Sequence, residues 1–429
     1  MSPRRQALWL LAAGVLLRGL LAGRWGVTAD EALLWAEGAG GQAPAQGWLL
    51  AHVPPHPLAL RLPGLLMQAL GAVALLAHVS HPRRFVSLVV VTPALWGLGG
   101  FATPAGWASG LWALALAASL RGGAGHLVAG ALVALGTGLG ADVASTLLAW
   151  PALVLAAMDP DERRQPWGWA GAGLAAVVAV AVGVRGPGWT DVGSPLQVVV
   201  HQFLWSAPLL GVAWVVALGE RDGSRRGRLA RWASVPLLVG ATVGAAAGLV
   251  MPAGAVAVLW WGAAVAVANA EGPAARLGEA GAWLGLALVA AVVGHVERPL
   301  LPLERDPAVA LHHGEPLADD AVRWAMPPGV PRHDPRAREA TLVLTERPED
   351  AALLRFLTGI PAVAWDGCGG TGPLVGHPTS DVAVFVRPRG SGPPCVGDGW
   401  SVTRSHASEA YGPAGRSVGS WEWFELAAP

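Results

Sequence analysis

The feature that most constrains the fold is a series of long apolar stretches separated by short polar breaks. A bilayer span needs about 17–25 mostly apolar residues. Such stretches lie at 7–23, 58–79, 85–101, 104–120, 126–141, 145–158, 167–184, 201–219, 233–250, 253–270 and 280–296. Only 14% of the 429 residues are charged, against about 25% in an ordinary soluble domain. The pattern predicts an all-α polytopic membrane bundle of about eleven transmembrane helices.

The placement of arginine predicts how this bundle is oriented. Arg18 inside the first apolar run, and the lack of a cleavage site before Asp30, favour a retained helix over a signal peptide. The outer short loops then contain Arg24 and Arg185, and the opposite flanks contain thirteen arginines: Arg4, Arg5, Arg83, Arg84, Arg121, Arg163, Arg164, Arg221, Arg225, Arg226, Arg228, Arg231 and Arg276. This asymmetry predicts a multi-pass protein of the inner (plasma) membrane with a cytoplasmic N-terminus.

The C-terminal part of the chain has a different character. Residues 297–429 contain the strand-like runs "ATLVLTE", "PAVAWDG", "DVAVFVRP" and "SWEWFEL", and an amphipathic helix, "PEDAALLRFLTG", that ends at Gly359. We therefore predict a transmembrane domain over 1–296 and a small extracytoplasmic (periplasmic) α/β domain over 297–429. Cys368 and Cys395 lie in this second domain, either as two thiols or, in an exported domain, as one disulfide.

Charge balance argues against one class of partner. The chain has 29 basic and 29 acidic residues. It therefore has no net positive charge that would predict nucleic-acid binding. The basic run "ERDGSRRGRLARW" is interpreted as a loop that faces lipid headgroups. The lipid bilayer is therefore the partner that the composition predicts.

The first outer loop contains an acidic pair, Asp30 and Glu31. Thr28 and Glu31 match a capping box, in which each side chain bonds the other residue's backbone N–H at a helix start. One interpretation is that both acids only begin a helix, where the helix dipole favours them. The other is that Asp30 enters a cavity, where its carboxylate deprotonates a hydroxyl or holds a divalent cation.

The segment that follows this loop contains two histidines and, in the apolar stretch after them, an arginine. His52 and His56 are four residues apart, but the prolines between them forbid a regular helix. They are either part of a rigid Pro-rich turn or weak metal ligands. Arg61 lies one turn into the second apolar stretch, where it either snorkels to the headgroups or binds a lipid phosphate.

The order of these segments resembles the glycosyltransferase-C superfamily. The matching runs are "ADEALLWAEG", "HVPPHPLALRLPGLL", "TPALWGLGGFATPAGWASGLWALALA" and "VVVHQFLWSAPLLGVAWVVAL". The nearest branch comprises the bacterial protein-mannosyltransferase-like and aminoarabinose-transferase-like membrane enzymes. These enzymes have an Asp-Glu pair in the first periplasmic loop, a His-Pro-Pro element before the second span and a Thr-Pro in a later hairpin. The likeness extends over nearly the whole chain.

The resemblance implies an inverting transfer of a sugar from a polyprenyl phosphate to an extracytoplasmic acceptor, which is a lipid, a glycan or a protein. Asp30 matches the family's catalytic acid, with Glu31 beside it. Arg61, His52 and His56 are the candidates for contact with the donor phosphate, and His201 and Gln202 are further donor-contact candidates. A divalent cation, Mg²⁺ or Mn²⁺, is a candidate cofactor.

Two departures from the family pattern keep other functions open. Ala105 follows Thr103-Pro104 where the family often has an acid, and the region "GLGADVASTLLAWPAL" contains Asp142 but lacks the family's Lys-Tyr pair. A catalytically inactive binding or scaffold protein of the same fold is the first alternative. A transporter of lipid-linked sugar is the second, although the sequence lacks the internal repeat that a transporter should show.

Overall fold

The computed structural model of the chain describes residues 1–39, 47, 49–50, 52–99, 101–139, 157–158, 166–181, 190–191, 194–220, 223–251, 253–298, 307–325, 342–365, 382–391, 401–412, 415 and 417–427. The chain divides into two compact units. The first comprises Met1–Ala22, Pro44–Gln46 and Leu58–Ala291, and the second Gly23–Ala43, Gly47–Pro57 and Val292–Pro429. The loop that contains the acidic pair is therefore in the same unit as the C-terminal region. The membrane and extracytoplasmic assignments of 1–296 and 297–429 stay predictions.

Helices make up most of the described chain. They are α1 (Pro3–Arg24), α2 (Ala29–Ala39), α3 (Pro57–Leu75), α4 (Pro82–Val91), α5 (Pro93–Gly99), α6 (Pro104–Arg121), α7 (Gly125–Gly138), α8 (Pro166–Ala181), α9 (Pro195–Gly219), α10 (Arg225–Ala247), α11 (Ala253–Ala268), α12 (Gly272–Glu297), α13 (Pro307–His312), α14 (Gly314–Ala325) and α15 (Pro348–Thr358). The strands are β1 (Thr190–Asp191), β2 (Leu249–Val250), β3 (Val343–Thr345), β4 (Ala362–Ala364), β5 (Val382–Pro388), β6 (Ser401–Tyr411) and β7 (Ser417–Ala427).

Proline begins many of these helices, because its ring presets the helical φ and its missing N–H would be unpaired there in any case. Pro82, Pro104 and Pro195 occupy this position in α4, α6 and α9. Thr103 caps α6, where its side chain accepts a hydrogen bond from Gly106 N at 3.1 Å. The Thr103-Pro104 element of the sequence is thus a helix-start signal.

Small residues allow the helices of the first unit to pack closely. Gly71 of α3 lies against α6, where an added Cβ would stand 2.9 Å from the carbonyl oxygen of Gly110. Such contacts between glycines are typical of helix pairs in membranes, where close backbone approach replaces the hydrophobic effect.

Helix α11 lies at the centre of the first unit. Its side chains from Ala255 to Ala268 are nearly all buried, and Trp260 and Trp261 are 0% exposed. A helix that is apolar all round is buried all round, and α11 packs against α6, α9 and α10.

Peripheral helices of this unit expose large apolar side chains instead. Trp9 of α1 is 70% exposed and Trp283 of α12 is 72% exposed. Among the described residues, four helical segments are long and apolar enough to cross a membrane: Pro3–Arg24, Pro57–His78, Arg225–Ala247 and Gly272–Glu297. Shorter apolar helices lie at Gly125–Gly138, Leu209–Gly219 and Gly254–Ala268.

The apolar stretch 85–101, predicted as one span, forms two helices. Helix α4 ends at Val91, and α5 begins at Pro93. Pro93 has no N–H to donate to the carbonyl of Val89, so the helix cannot continue through it unchanged. Arg18 of α1 supplies the missing donors, because its Nη2 donates to Val89 O at 2.8 Å and to Val90 O at 3.1 Å.

In the second unit, strands form a five-stranded sheet with the order β4-β3-β5-β7-β6. Strand β3 is parallel to β4 and β5, and β5, β7 and β6 pair antiparallel. One face of the sheet packs against α14 and α15 through a core that includes Leu317, Leu354 and Trp423. The helix predicted from "PEDAALLRFLTG" is α15, and Gly359, whose φ is 71°, caps its C-terminus.

Candidate functional site

The acidic pair begins helix α2, and its capping box is confirmed. Thr28 N donates to Glu31 Oε2 at 3.1 Å, and Glu31 N donates to Thr28 Oγ1 at 3.3 Å. The Thr28 hydroxyl also donates to Glu31 Oε2 at 3.2 Å. Glu31 is 1% exposed. Its carboxylate therefore pairs backbone and hydroxyl donors that would otherwise be left unsatisfied at the helix start.

Asp30 has the opposite environment, because its side chain is exposed. Residues of a helix are spaced by about 100°, so Asp30, Leu34 and Glu37 share one face of α2. The buried residues Ala32 and Ala36 lie on the other face. Asp30 is also in the first turn of α2, where the helix dipole favours an ionised carboxylate. The side chain is thus accessible from solvent.

Glu37 is an acid on this face that sequence reasoning missed. The signal was its spacing of seven residues from Asp30, which is two helical turns. Seven residues at 1.5 Å separate the two positions by about 10 Å along the axis. Glu37 therefore lies two turns away from Asp30 on the same face of α2.

A divalent cation is usually held by several carboxylate or imidazole side chains, and the described residues can be searched for such a group. Within these ranges, no group of three or more His, Cys, Asp or Glu side chains is placed to hold a metal ion. Asp30 alone is a single exposed carboxylate. The described residues therefore do not form a ready-made Mg²⁺ or Mn²⁺ site.

His52 and His56 belong to a turn immediately before α3. Backbone bonds run from His52 N to Leu49 O at 3.2 Å and from His56 N to Pro54 O at 2.7 Å. Both side chains are exposed. The prolines thus exclude a regular helix here, as the sequence predicts, and donor contact by either imidazole stays a prediction.

Arg61 is buried in the first unit, with 0% of its side chain exposed, so it does not snorkel. Its Nη1 donates to the carbonyl oxygen of Ala22 at 2.6 Å, and its guanidinium lies 5.2 Å from the centroid of the Phe101 ring. Ala22 is in the last turn of α1, where carbonyls lack helical partners. The buried cation is thus stabilised by an orphan carbonyl and an aromatic face. Phosphate binding by Arg61 stays a prediction.

The remaining candidates are only partly within the described chain. The backbone of His201 and Gln202 is part of helix α9, and their side chains lie outside the described part. Cys368, Cys395 and Asp142 also lie outside the described residues. Donor contact by His201 and Gln202 and the disulfide between the cysteines stay predictions.

A polar cavity of about 340 Å³ lies elsewhere in the first unit and contains none of the predicted site residues. Its lining includes His78, Ser80, Arg225, Arg226 and Asn269. Arg225 donates to Leu120 O at 3.2 Å, and Arg226 donates to Asn269 O at 2.6 Å. The arginines thus pair carbonyls at the ends of α6 and α11. These hydrogen bonds account for Arg225 and Arg226 in the cavity lining without a bound ligand.

In the second unit, His313 connects α15 to strand β7. Its Nδ1 lies 3.0 Å from Val418 O, and its Nε2 lies 3.4 Å from Asp350 Oδ1. Burial lowers the pKa of His313, but the hydrogen bonds to Asp350 and Val418 raise it, and the net shift of the pKa is upward. Two acceptors around one ring favour the imidazolium, because only that form donates from both nitrogens.

Comparisons with known proteins identify the fold. No family model and no curated protein match the chain. The solved structure of ArnT from Cupriavidus metallidurans in the apo state matches it with a TM-score of 0.54 and 12% identity, covering 97% of each chain. The same protein bound to undecaprenyl phosphate matches with a TM-score of 0.55 and 13% identity, covering 99% of this chain and 98% of that chain. ArnT is a glycosyltransferase-C enzyme, so the resemblance predicted from the sequence is confirmed for the fold.

Proposed function

We propose that this protein is an integral membrane glycosyltransferase. It takes a sugar from a polyprenyl-phosphate donor and transfers it to an extracytoplasmic acceptor, which is a lipid, a glycan or a protein. The observation that carries the proposal is the likeness to ArnT over 97–99% of the chain, including a structure of that enzyme with undecaprenyl phosphate. The exposed carboxylate of Asp30 supports it, because the reaction needs an accessible base.

The proposed topology follows the distribution of arginine. The N-terminus is cytoplasmic, about eleven helices cross the inner membrane, and residues 297–429 form an extracytoplasmic α/β domain. Helix α2 then lies on the outer side of the membrane, where a lipid-linked donor presents its sugar.

The chemistry is a single displacement with inversion. The carboxylate of Asp30 accepts the proton of the acceptor hydroxyl as its oxygen attacks the anomeric carbon. The bond between that carbon and the phosphate oxygen breaks, and polyprenyl phosphate leaves with both electrons of the bond. Cationic or hydrogen-bonding side chains stabilise the charge that develops on the leaving phosphate, and Arg61, His52, His56, His201 and Gln202 are the candidates. Glu31 holds the helix start.

A catalytically inactive binding protein of the same fold is the second candidate function. It is favoured by Ala105, which follows Thr103-Pro104 where the family often has an acid, and by the absence of lysine from the chain. Such a protein would bind a polyprenyl phosphate without transferring a sugar.

Purified protein in liposomes tests the proposal. It is incubated with a panel of radiolabelled undecaprenyl-phosphate pentoses and hexoses and with envelope lipids, glycans and proteins as acceptors. Transfer is measured together with release of undecaprenyl phosphate. Asp30→Asn should lower the transfer rate roughly 100- to 10,000-fold, which is the usual contribution of a general base.

The matched control is Glu37→Gln, which neutralises a carboxylate on the same exposed face of α2 and should leave transfer unchanged. If Asp30→Asn transfers as fast as Glu37→Gln, the assignment of Asp30 is wrong. If the wild-type protein binds undecaprenyl phosphate but transfers no sugar from any donor in the panel, the binding-protein alternative is correct.

A further inference from the structure

The loop with the acidic pair is attached to the C-terminal region at several points within the second unit. Before α2, Arg24 pairs with Glu297 at 2.8 Å. Gly26 lies so close to the carbonyl of Leu311 that an added Cβ would collide with it. Within α2, the ring of Trp35 meets Phe356 of α15 edge to face, with centroids 5.2 Å apart and planes at 87°. These contacts stand on both sides of Asp30 along the chain.

The packing of α2 on α15 determines which face of α2 is exposed. Phe356 is 4% exposed, and Ala32 of α2 is 0% exposed. Trp35 follows Ala32 by three residues, so both lie on the same side of the helix. Asp30 lies about 200° around the helix from Ala32. A helix that rotated about its axis would therefore bury Asp30 or turn it aside.

We infer that Phe356, together with Trp35, is a positioning residue for Asp30. The inference rests on the proposed function. Phe356 does not touch the reacting atoms; it fixes the rotation of α2 and so the direction of the carboxylate. The C-terminal region, more than 300 residues away in the chain, thereby sets the geometry of a group in the first loop.

The size of the effect follows from the dimensions of a helix. A side-chain carboxylate lies about 5 Å from the helix axis, so a rotation of about 20° moves it by nearly 2 Å. A misplacement of about 1 Å at a reacting group can lower a rate 100-fold. Loss of the Trp35–Phe356 contact should thus lower kcat about 10- to 100-fold, with the KM for the donor within about twofold of wild type, because donor binding does not need the base.

A pair of matched variants tests the inference. Phe356→Leu removes the ring that contacts α2 and keeps apolar volume. Phe385→Leu is the control, because Phe385 is also 4% exposed and also meets a tryptophan, Trp365, edge to face at 5.7 Å and 85°. Phe385 is on strand β5, in a core with Leu344 and Phe424. Both variants should lower the unfolding temperature of the full-length protein in detergent by similar amounts.

Two readouts distinguish positioning from stability. Phe356→Leu should increase amide hydrogen exchange in residues 28–39 and lower kcat per folded molecule, and Phe385→Leu should do neither. Trp35→Phe, which keeps an aromatic edge against Phe356, should retain kcat, whereas Trp35→Leu should not.

The inference is overturned if Phe356→Leu and Phe385→Leu have the same exchange in α2, or if exchange rises while kcat stays at the control value. Failure of the proposed function has a different appearance, because the wild-type protein would then transfer no sugar at all. In that case the exchange experiment still reports whether Phe356 holds α2.

Discussion

Replacing Arg18 by methionine should reveal what a buried arginine does in an apolar helix. In the native protein, Arg18 Nη2 donates to Val89 O and Val90 O at 2.8 and 3.1 Å. Its guanidinium also lies 5.1 Å from the centroid of the Trp96 ring. Val90 O keeps a second donor, the indole N–H of Trp96, whereas the helical donor to Val89 is absent because residue 93 is proline.

The expected cost of Arg18→Met follows from these contacts. A buried carbonyl that loses its partner costs about 1–3 kcal/mol, and removal of the buried charge returns part of its desolvation penalty. We expect a net loss of about 1 kcal/mol in the free energy of unfolding. Pro93→Ala restores an N–H that can donate to Val89 O, so in that background Arg18→Met should cost less, with a coupling of about 1 kcal/mol.

Equilibrium unfolding in mixed micelles of increasing SDS content can measure these free energies. The 22 tryptophans provide the fluorescence signal. The control is Arg5→Met, an exposed arginine of the same helix, which should change stability by less than about 0.5 kcal/mol. The reasoning that Arg18 replaces the N–H missing at Pro93 would be refuted by either of two results. One is an equal loss of stability in Arg18→Met and Arg5→Met, and the other is strict additivity of Arg18→Met and Pro93→Ala.

Two further predictions concern the second unit. Its stability should depend on the protonation of His313, whose pKa is raised above its ordinary value of 6.5. The stabilisation is complete below about pH 6.5 and is lost as the pH rises through the folded-state pKa, so thermal unfolding from pH 5.5 to 8.5 should show a decline that His313→Gln removes. Glu31→Gln should preserve the capping box and stability, whereas Glu31→Ala should lower stability by about 1–2 kcal/mol. Loss of sugar transfer in a fully stable Glu31→Gln protein would instead assign Glu31 a catalytic role.

Local signals in the sequence predicted several elements correctly. Thr28 and Glu31 form the predicted capping box, and "PEDAALLRFLTG" forms α15 with Gly359 as its left-handed terminus. Residues 382–388 of the run "DVAVFVRP" form β5, and "SWEWFEL" is within β7. These predictions depend on interactions between residues a few positions apart, and such interactions are present in any fold that contains the segment.

Strand β6 was missed because its sequence lacks the usual signal. "SVTRSHASEAY" is largely exposed along its length, so it has no alternation of apolar and polar residues. It is a strand because it pairs with β7 at the edge of the sheet. Pairing of that kind depends on the neighbouring strand and leaves little trace in the composition of the strand itself.

The sequence by itself determined that the chain is a set of apolar helices and that the order of its segments resembles that of the glycosyltransferase-C superfamily, because hydrophobicity and motif order are properties of the chain. Only the tertiary structure decided which acid is buried and which is exposed, and where the arginines find partners. Arg18 and Arg61 each pair with a carbonyl more than 30 residues away, and Trp35 meets a phenylalanine of the C-terminal region. The physical reason is that a buried charge or ring is stabilised only by atoms in contact with it, and chain folding brings those atoms together from distant positions.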